Sequence, residues 1–317
     1  MKKKYVLGID TSNYTTSLAL VTTEGEIVAN IKYPLPVKDG ARGLRQSDAV
    51  FAHVKNLPLA MEEVKNALGD DIPVAIGVSN RPRNVEGSYM PCFLVGEAVA
   101  ESISATTGAP LYKFSHQCGH MMAALCSSGR EDFLKRDFCA FHISGGTTEM
   151  LEVRLSDNGF CSKLIGGTAD LNAGQVIDRV GVAMGLKFPC GREMETLALQ
   201  YTGEIPKRKV AVDGLNINLS GLENIAIDFY KKSNDAALVS AFVFSYVANS
   251  IASLVENYIS YGKNVPFLFA GGVMSNSIIK NKLSAICDAS FAEPALSSDN
   301  AVGVAMLALR SFKTEKI

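Results

Sequence analysis

Hydrophobic and polar positions along the chain fall into two similar series. In the first, the apolar run Tyr5–Ile9 enters a polar turn that ends in Thr15-Thr16, and an apolar run leaves it. Residues 5–32 read as three strands of a meander, with Thr22–Glu26 as a turn. Residues 34–47, rich in Pro, Gly and Arg, read as a surface loop. Helical spacing follows over Phe51–Leu68, where Pro58 should kink or restart the helix. Pro73–Ser79 is a short buried strand, 80–89 a polar loop, Phe93–Ala105 a buried helix, Pro110–Phe114 a strand and His116–Ser127 a helix.

The second series opens at 138–153, two apolar runs joined by the small-residue turn Ser144-Gly145-Gly146-Thr147-Thr148. That is a hairpin pattern. A third strand near Cys161–Ile165 follows, then helices at Ala173–Met184 and Arg192–Gln200 and an extended stretch over Ile205–Ser220. A long apolar helix is expected over about Asp235–Ser260, a strand over Val265–Phe269 and a helix over Asn276–Cys287. A final helix, Asn300–Leu309, is capped by Ser297-Ser298-Asp299. The repeated order of three strands, helix, strand and helix implies a mixed α/β chain with two duplicated lobes, 1–135 and 136–317, divided in the charged link 128–137. The pattern resembles the actin, sugar-kinase and heat-shock ATPase superfold (an actin-like, ribonuclease H-like fold). Such proteins bind ATP in an interlobe cleft. By that analogy Asp10, Thr11 and Ser12 open one phosphate turn, Ser144–Thr148 form the other, and Ala270–Val273 face the adenosine.

Composition narrows the function classes. At 317 residues and 47% hydrophobic, the chain has material for large cores. A net charge of −1 supplies no global attraction to nucleic acid or membrane, so any RNA contact must come from local patches. Seven scattered cysteines without a C-x-x-C pair fit a reducing cytoplasm. Tyr5–Ile9 is too short for a signal-peptide core, and no membrane association is expected.

The candidate chemistry starts from His116 and His120, two of only four histidines, which i,i+4 spacing puts on one helix face. They are a metal-binding pair or two surface histidines. Asp299 is an N-cap or the carboxylate that completes the set. Two histidines and a carboxylate with open positions suit iron or zinc. Neither H-E-x-x-H nor G-x-x-x-x-G-K-[ST] occurs.

Eight motifs in order resemble the tRNA threonylcarbamoyladenosine synthase family (TsaD, also called O-sialoglycoprotein endopeptidase or glycoprotease). They are Gly8–Ser12, His116–His120, Ser144–Thr148, Ala173–Arg179, Gly185–Gly191, Asn216–Glu223, Ala270–Asn276 and Ser298–Val302. The resemblance implies metal ligands at His116, His120 and Asp299. It implies contacts to ATP or an acyl-adenylate at Ile143, Ser144, Gly145, Gly146, Asp178, Gly191 and Asn276. The family activity is acyl transfer of threonylcarbamoyl from its adenylate onto adenosine in tRNA, with TsaB- and TsaE-like partner subunits. The alternatives are a non-catalytic partner module in a homo- or heterodimer, or a carbamoyl transferase acting on a small molecule. A protease has no nucleophile–base pair here, and no catalytic residue is assigned. The chain departs from the family pattern at Asn13, Tyr14 and Thr15, at Cys118 and Thr147, in the loop 81–87 and at Glu223. Of the family stretch E-L-A-S-R-D-H it keeps His53.

Overall fold

The computed structural model describes residues 3–36, 44–156, 159–293, 296 and 299–315. Residues 37–43 of the expected loop, and Ser297 and Ser298 of the expected cap, lie outside them. The chain divides into two compact units. One contains Met1–Gly129, Leu155–Cys161 and Ala295–Ile317, and the other contains Arg130–Arg154 and Ser162–Pro294. The C-terminal segment thus belongs with the N-terminal unit.

The first unit is built on β1 (Tyr5–Thr11), β2 (Thr15–Thr22), β3 (Ile27–Pro34), β4 (Ala75–Arg81) and β5 (Leu111–Ser115), ordered β3-β2-β1-β4-β5. The first three strands pair antiparallel, and β4 and β5 join β1 in parallel. Helix α1 (Gln46–Leu68) precedes β4, α2 (Phe93–Thr107) connects β4 to β5, and α3 (His116–Ser128) follows. Alternation along the strands separates two faces. Leu7, Ile9, Leu18, Ile31, Ile76 and Val78 pack with Leu57, Ala60, Val64 and Ala100 of α1 and α2. Helix α1 runs through Pro58 without the expected break. Pro58 and Val54 are both exposed, so water can serve the Val54 carbonyl that loses its amide partner.

The second unit repeats the plan. Its strands are β6 (Phe138–Ile143), β7 (Thr148–Ser156), β8 (Gly159–Thr168), β9 (Val212–Asp213), β10 (Asn216–Ile217), β11 (Phe267–Ala270) and β12 (Ala289–Phe291), ordered β12-β11-β6-β7-β8-β10-β9. The β8-β7-β6-β11-β12 portion has the order of the first sheet, again with an antiparallel hairpin and two parallel additions. Helices α4 (Ala173–Ala183), α5 (Gly191–Gln200), α6 (Ser220–Ser233), α7 (Ala236–Ser260) and α8 (Ser277–Ser284) complete it. Helix α7 is long and apolar enough to cross a membrane, yet 78% of its most apolar window is buried, as the core helix of this unit. Helix α6 and strand β12 fall where the sequence pattern predicts no element.

The seven thiols are all free, and burial sorts them. Burial pushes the Cys92 thiol up to about 11 and Cys287 to about 12, and raises Cys118 and Cys139 as well. Cys161 is the exposed one. Brief maleimide treatment of the folded protein, read by peptide mass spectrometry, should label Cys161 first. Equally fast labelling of Cys92 or Cys118 would contradict this packing.

Candidate metal centre and nucleotide-binding turn

In the first unit, the two i,i+4 histidines begin helix α3. Ser115 caps that helix by accepting from the Cys118 amide. The last helix, α9 (Val302–Thr314), lies on the sheet face opposite α1 and α2. Side chains at Gly8 and Gly77 would strike its backbone and Ala305 or Ala308, so these glycines admit it. Helix α9 also crosses α3 where Gly303 meets Gly119. Asp299 therefore arrives beside the start of α3.

There, His120 Nε2 lies 3.0 Å from His116 Nε2 and 3.1 Å from Asp299 Oδ1. His116 Nε2 is 3.5 Å from the same oxygen. Among the described residues, this is the group of three ligand side chains whose donor atoms fall within 4.8 Å of one another. The expected cap is corrected in part. Asp299 does not cap α9; Asn300 Oδ1 instead accepts from the Val302 amide at 3.0 Å. The Asp299 carboxylate also accepts from Ser12 Oγ at 2.7 Å through Oδ2.

His116 is braced from behind. Its Nδ1 is 2.9 Å from Oδ2 of Asp10, a fully buried carboxylate that also accepts from Ser79 Oγ through Oδ1. A carboxylate on one imidazole nitrogen fixes the ring and leaves the other nitrogen for a ligand. Burial disfavours the imidazolium, but Asp10 and Asp299 outweigh it and hold the His116 pKa well above the usual value. Burial likewise opposes charge on Asp299, yet hydrogen bonds and charge from His116 and His120 hold its carboxyl far below the ordinary range.

The other turn candidates have partners within this unit. Thr11 Oγ1 donates to the Cys92 carbonyl at 3.0 Å and accepts from the Gly96 amide at 3.2 Å. His53, wholly buried, has Nε2 2.9 Å from the Ser12 carbonyl and Nδ1 2.7 Å from Thr16 Oγ1. A carbonyl only accepts, so Nε2 carries the proton and Thr16 donates to Nδ1. Burial lowers the His53 pKa, which keeps the ring neutral and the turn 12–16 in place. Cys118, where the resemblance has Glu, is buried and donates its thiol to the Phe160 carbonyl.

In the second unit, Ser144–Thr147 form a tight turn, with the Ser144 amide on the Thr147 carbonyl at 2.8 Å. Helix α4 braces it: the Gly174 amide donates to the Ser144 carbonyl at 3.2 Å and the Ala173 amide to Thr148 Oγ1 at 2.9 Å. A side chain at Gly174 would strike the Gly145 backbone, and one at Gly271 (φ +100°) the Ile143 carbonyl. Gly145 and Gly146 remain exposed. Asp178 accepts from the Cys190 amide at 2.8 Å, which fixes the turn before Gly191. Asn276 caps α8 through Oδ1, while its buried Nδ2 has no hydrogen-bond partner among the described residues. An unpaired buried amide is costly and fits a ligand that accepts from it.

Residues 27–306 match the family described as TsaD, tRNA N6-adenosine threonylcarbamoyltransferase. The chain belongs to that family. A Streptococcus suis (strain 05ZYH33) protein named tRNA N6-adenosine threonylcarbamoyltransferase is 27% identical over 332 residues, covering 100% of this chain and 95% of its own. A Streptococcus gordonii protein of the same name is 28% identical, covering 90% and 84%. Solved structures extend the likeness to fold. Full-length HypF superposes with a TM-score of 0.60 at 11% identity, covering 99% of this chain and 57% of that one. The Acidaminococcus fermentans (R)-2-hydroxyglutaryl-CoA dehydratase component A gives 0.54 at 15% identity, covering 99% and 100%. A ROK family glucokinase from Streptomyces griseus gives 0.52 at 13%, covering 96% and 99%. This TsaD-family chain thus has the actin-like ATPase fold expected from its repeated strand order.

Sequence reasoning did not find Ser79, which donates to Asp10. It stands on strand β4, where its neighbours depend on sheet pairing, and no local motif marks it.

Proposed function

We propose that this TsaD-family chain is the acyltransferase that moves a threonylcarbamoyl group from its adenylate onto the N6 amine of an adenosine in tRNA. The observation that carries this reading is the convergence of His116 Nε2, His120 Nε2 and Asp299 Oδ1, with Asp10 orienting His116. That donor set fits iron or zinc with open positions. When bound, the metal would supply Lewis-acid polarisation of the carbamoyl carbonyl. Asp10 and Ser12 hold His116 and Asp299 in position, so the ligand atoms need little rearrangement. The adenylate is assigned to Ile143–Gly146, Asp178, Gly191 and Asn276, whose unpaired Nδ2 would donate to it. In the transfer, the adenosine amine attacks the carbamoyl carbon, the bond to the phosphate oxygen breaks, and AMP leaves as the amine loses a proton.

The exposed run Lys207-Arg208-Lys209 is a candidate for contacts to tRNA phosphates. TsaB- and TsaE-like subunits are the proposed partners, and the cytoplasm the proposed site of action. The test is a reconstitution with threonylcarbamoyl-adenylate, tRNA, zinc or ferrous iron and these partners, scored by mass spectrometry of digested tRNA. Modified adenosine that depends on this chain is expected. Its absence with every partner supplied, or transfer to a small molecule without RNA, overturns the reading.

A further inference from the structure

A cleft of about 250 Å³ opens in the second unit, and no residue of the glycine turn lines it. One wall is helix α7, through Phe242, Ser245, Tyr246 and Asn249. Those positions are spaced i, i+3, i+4 and i+7, so they form one stripe along the helix. The other wall is the segment 205–208, which precedes β9. Hydrogen bonds fasten the two walls together. The Ala211 amide donates to the Tyr246 hydroxyl at 3.2 Å, and the Ala211 carbonyl accepts from the Asn218 amide at 3.0 Å. Phe242 is held edge-on against Phe229, with ring centroids 5.7 Å apart.

The lining is chemically mixed. Phe242 and Tyr246 are buried and give the cleft an aromatic floor. Ser245 and Asn249 add a hydroxyl and an amide, both half-buried. Ser250 donates its hydroxyl to the Tyr246 carbonyl, the usual resort of a helical serine. Ser245 makes no such bond, and among the described residues neither its hydroxyl nor the Asn249 amide has a hydrogen-bond partner. Lys207 and Arg208 are exposed, with no carboxylate partner among the described residues. No acidic side chain lines the cleft. Lys209 continues the exposed run.

We infer that this cleft receives one unpaired nucleotide of the RNA substrate, its base enclosed against α7 and its phosphate on Lys207 and Arg208. The inference deepens the function proposed above and rests on it for the RNA. Two cations without a carboxylate select an anion. A bare phosphate would leave the inner part of the cleft unfilled, whereas a base has an apolar face and a polar edge. The aromatic floor suits the face, and the Asn249 amide offers the edge both a donor and an acceptor. A paired base cannot enter, because its edge is occupied and its neighbours stack on it. Proteins read RNA in this way at single-stranded loops. Three consecutive exposed cations match the phosphates of a strand better than the single phosphate of a free mononucleotide.

The experiment measures binding of unmodified tRNA to the full chain with its partners across a salt series, and then probes the unpaired bases chemically. Asn249→Leu should weaken binding about fivefold, the worth of one neutral hydrogen bond, with an unchanged salt slope. One unpaired nucleotide that wild type protects should become reactive in this variant, while the rest of the footprint stays. Lys207→Ala/Arg208→Ala should reduce the slope of log K against log salt by roughly 0.7 for each cation removed. Should Asn249→Leu lower the Tm, the exposed pair still decides, by the slope and by the same lost protection. Wild-type affinity and footprint in Asn249→Leu, an unchanged slope in the double variant, or a free mononucleotide that competes as well as tRNA would overturn the inference. In each of these cases modified adenosine made by the wild type leaves the proposed function standing. A wild type that neither binds nor modifies tRNA overturns that function and this inference together.

Discussion

His120→Ala is expected to strip the protein of its divalent metal, from about one ion per chain to near zero by elemental analysis. Three donors, His116 Nε2, His120 Nε2 and Asp299 Oδ1, converge within 4.8 Å. Removing one leaves a two-point site of much lower affinity. The fall should exceed the roughly 10–100-fold cost of losing an outer partner. Asp10→Asn provides that comparison, since Asp10 meets the ligand set through the far nitrogen of His116. Its affinity should lie between wild type and His120→Ala. Proton release gives an independent reading. Asp10 and Asp299 hold the metal-free His116 pKa well above its usual value, so a proton competes with metal for this ring. Zinc should then expel about one proton per site. Binding should weaken as the pH falls, because protons compete for the same nitrogen. Full metal content in His120→Ala would sink the assignment, and so would zinc uptake without proton release.

Local chemistry made part of this centre legible. His116 and His120 share a helix face by spacing alone, and the glycine turn at 144–147 announces itself in composition. Asp299 was ambiguous because an aspartate before a helix also reads as a cap. Its side chain goes to His120 and Ser12 because α9 is drawn against Gly8, Gly77 and Gly119, contacts that join distant parts of the chain. Asp10 likewise reads as part of a polar turn until pairing with β4 brings Ser79 beside it. Helix α6 left a weak local signal for a similar reason. Asp170, fifty residues upstream, accepts from the Leu219 and Ser220 amides at 2.8 and 3.0 Å, so the helix start carries no side-chain cap of its own. The duplicated strand order was legible because alternation and turn residues are local. Side-chain partners set by strand register were not.

Gly303→Ala should damage both fold and metal site, although residue 303 touches neither a ligand nor a substrate. Helices α3 and α9 cross with Gly303 against Gly119, and a methyl group at 303 would fall on the Gly119 carbonyl and crowd the Ala123 amide. Those are backbone atoms, so the strain cannot be relieved by a rotamer change and the helices must separate. Inserting a methyl group into a tight contact costs about 1–3 kcal/mol, and rigid backbone puts this site near the upper figure. For a unit of this size the loss is roughly 6–12 °C in Tm. Because α3 carries His116 and His120 while Asp299 leads into α9, the same separation pulls the ligands apart. Metal affinity should fall with the Tm. Gly221→Ala in α6 is the control, since a methyl group there meets no atom within 4 Å and alanine favours the helix. A Gly303→Ala protein with wild-type Tm and full metal content would show that the crossing does not hold the ligand set together.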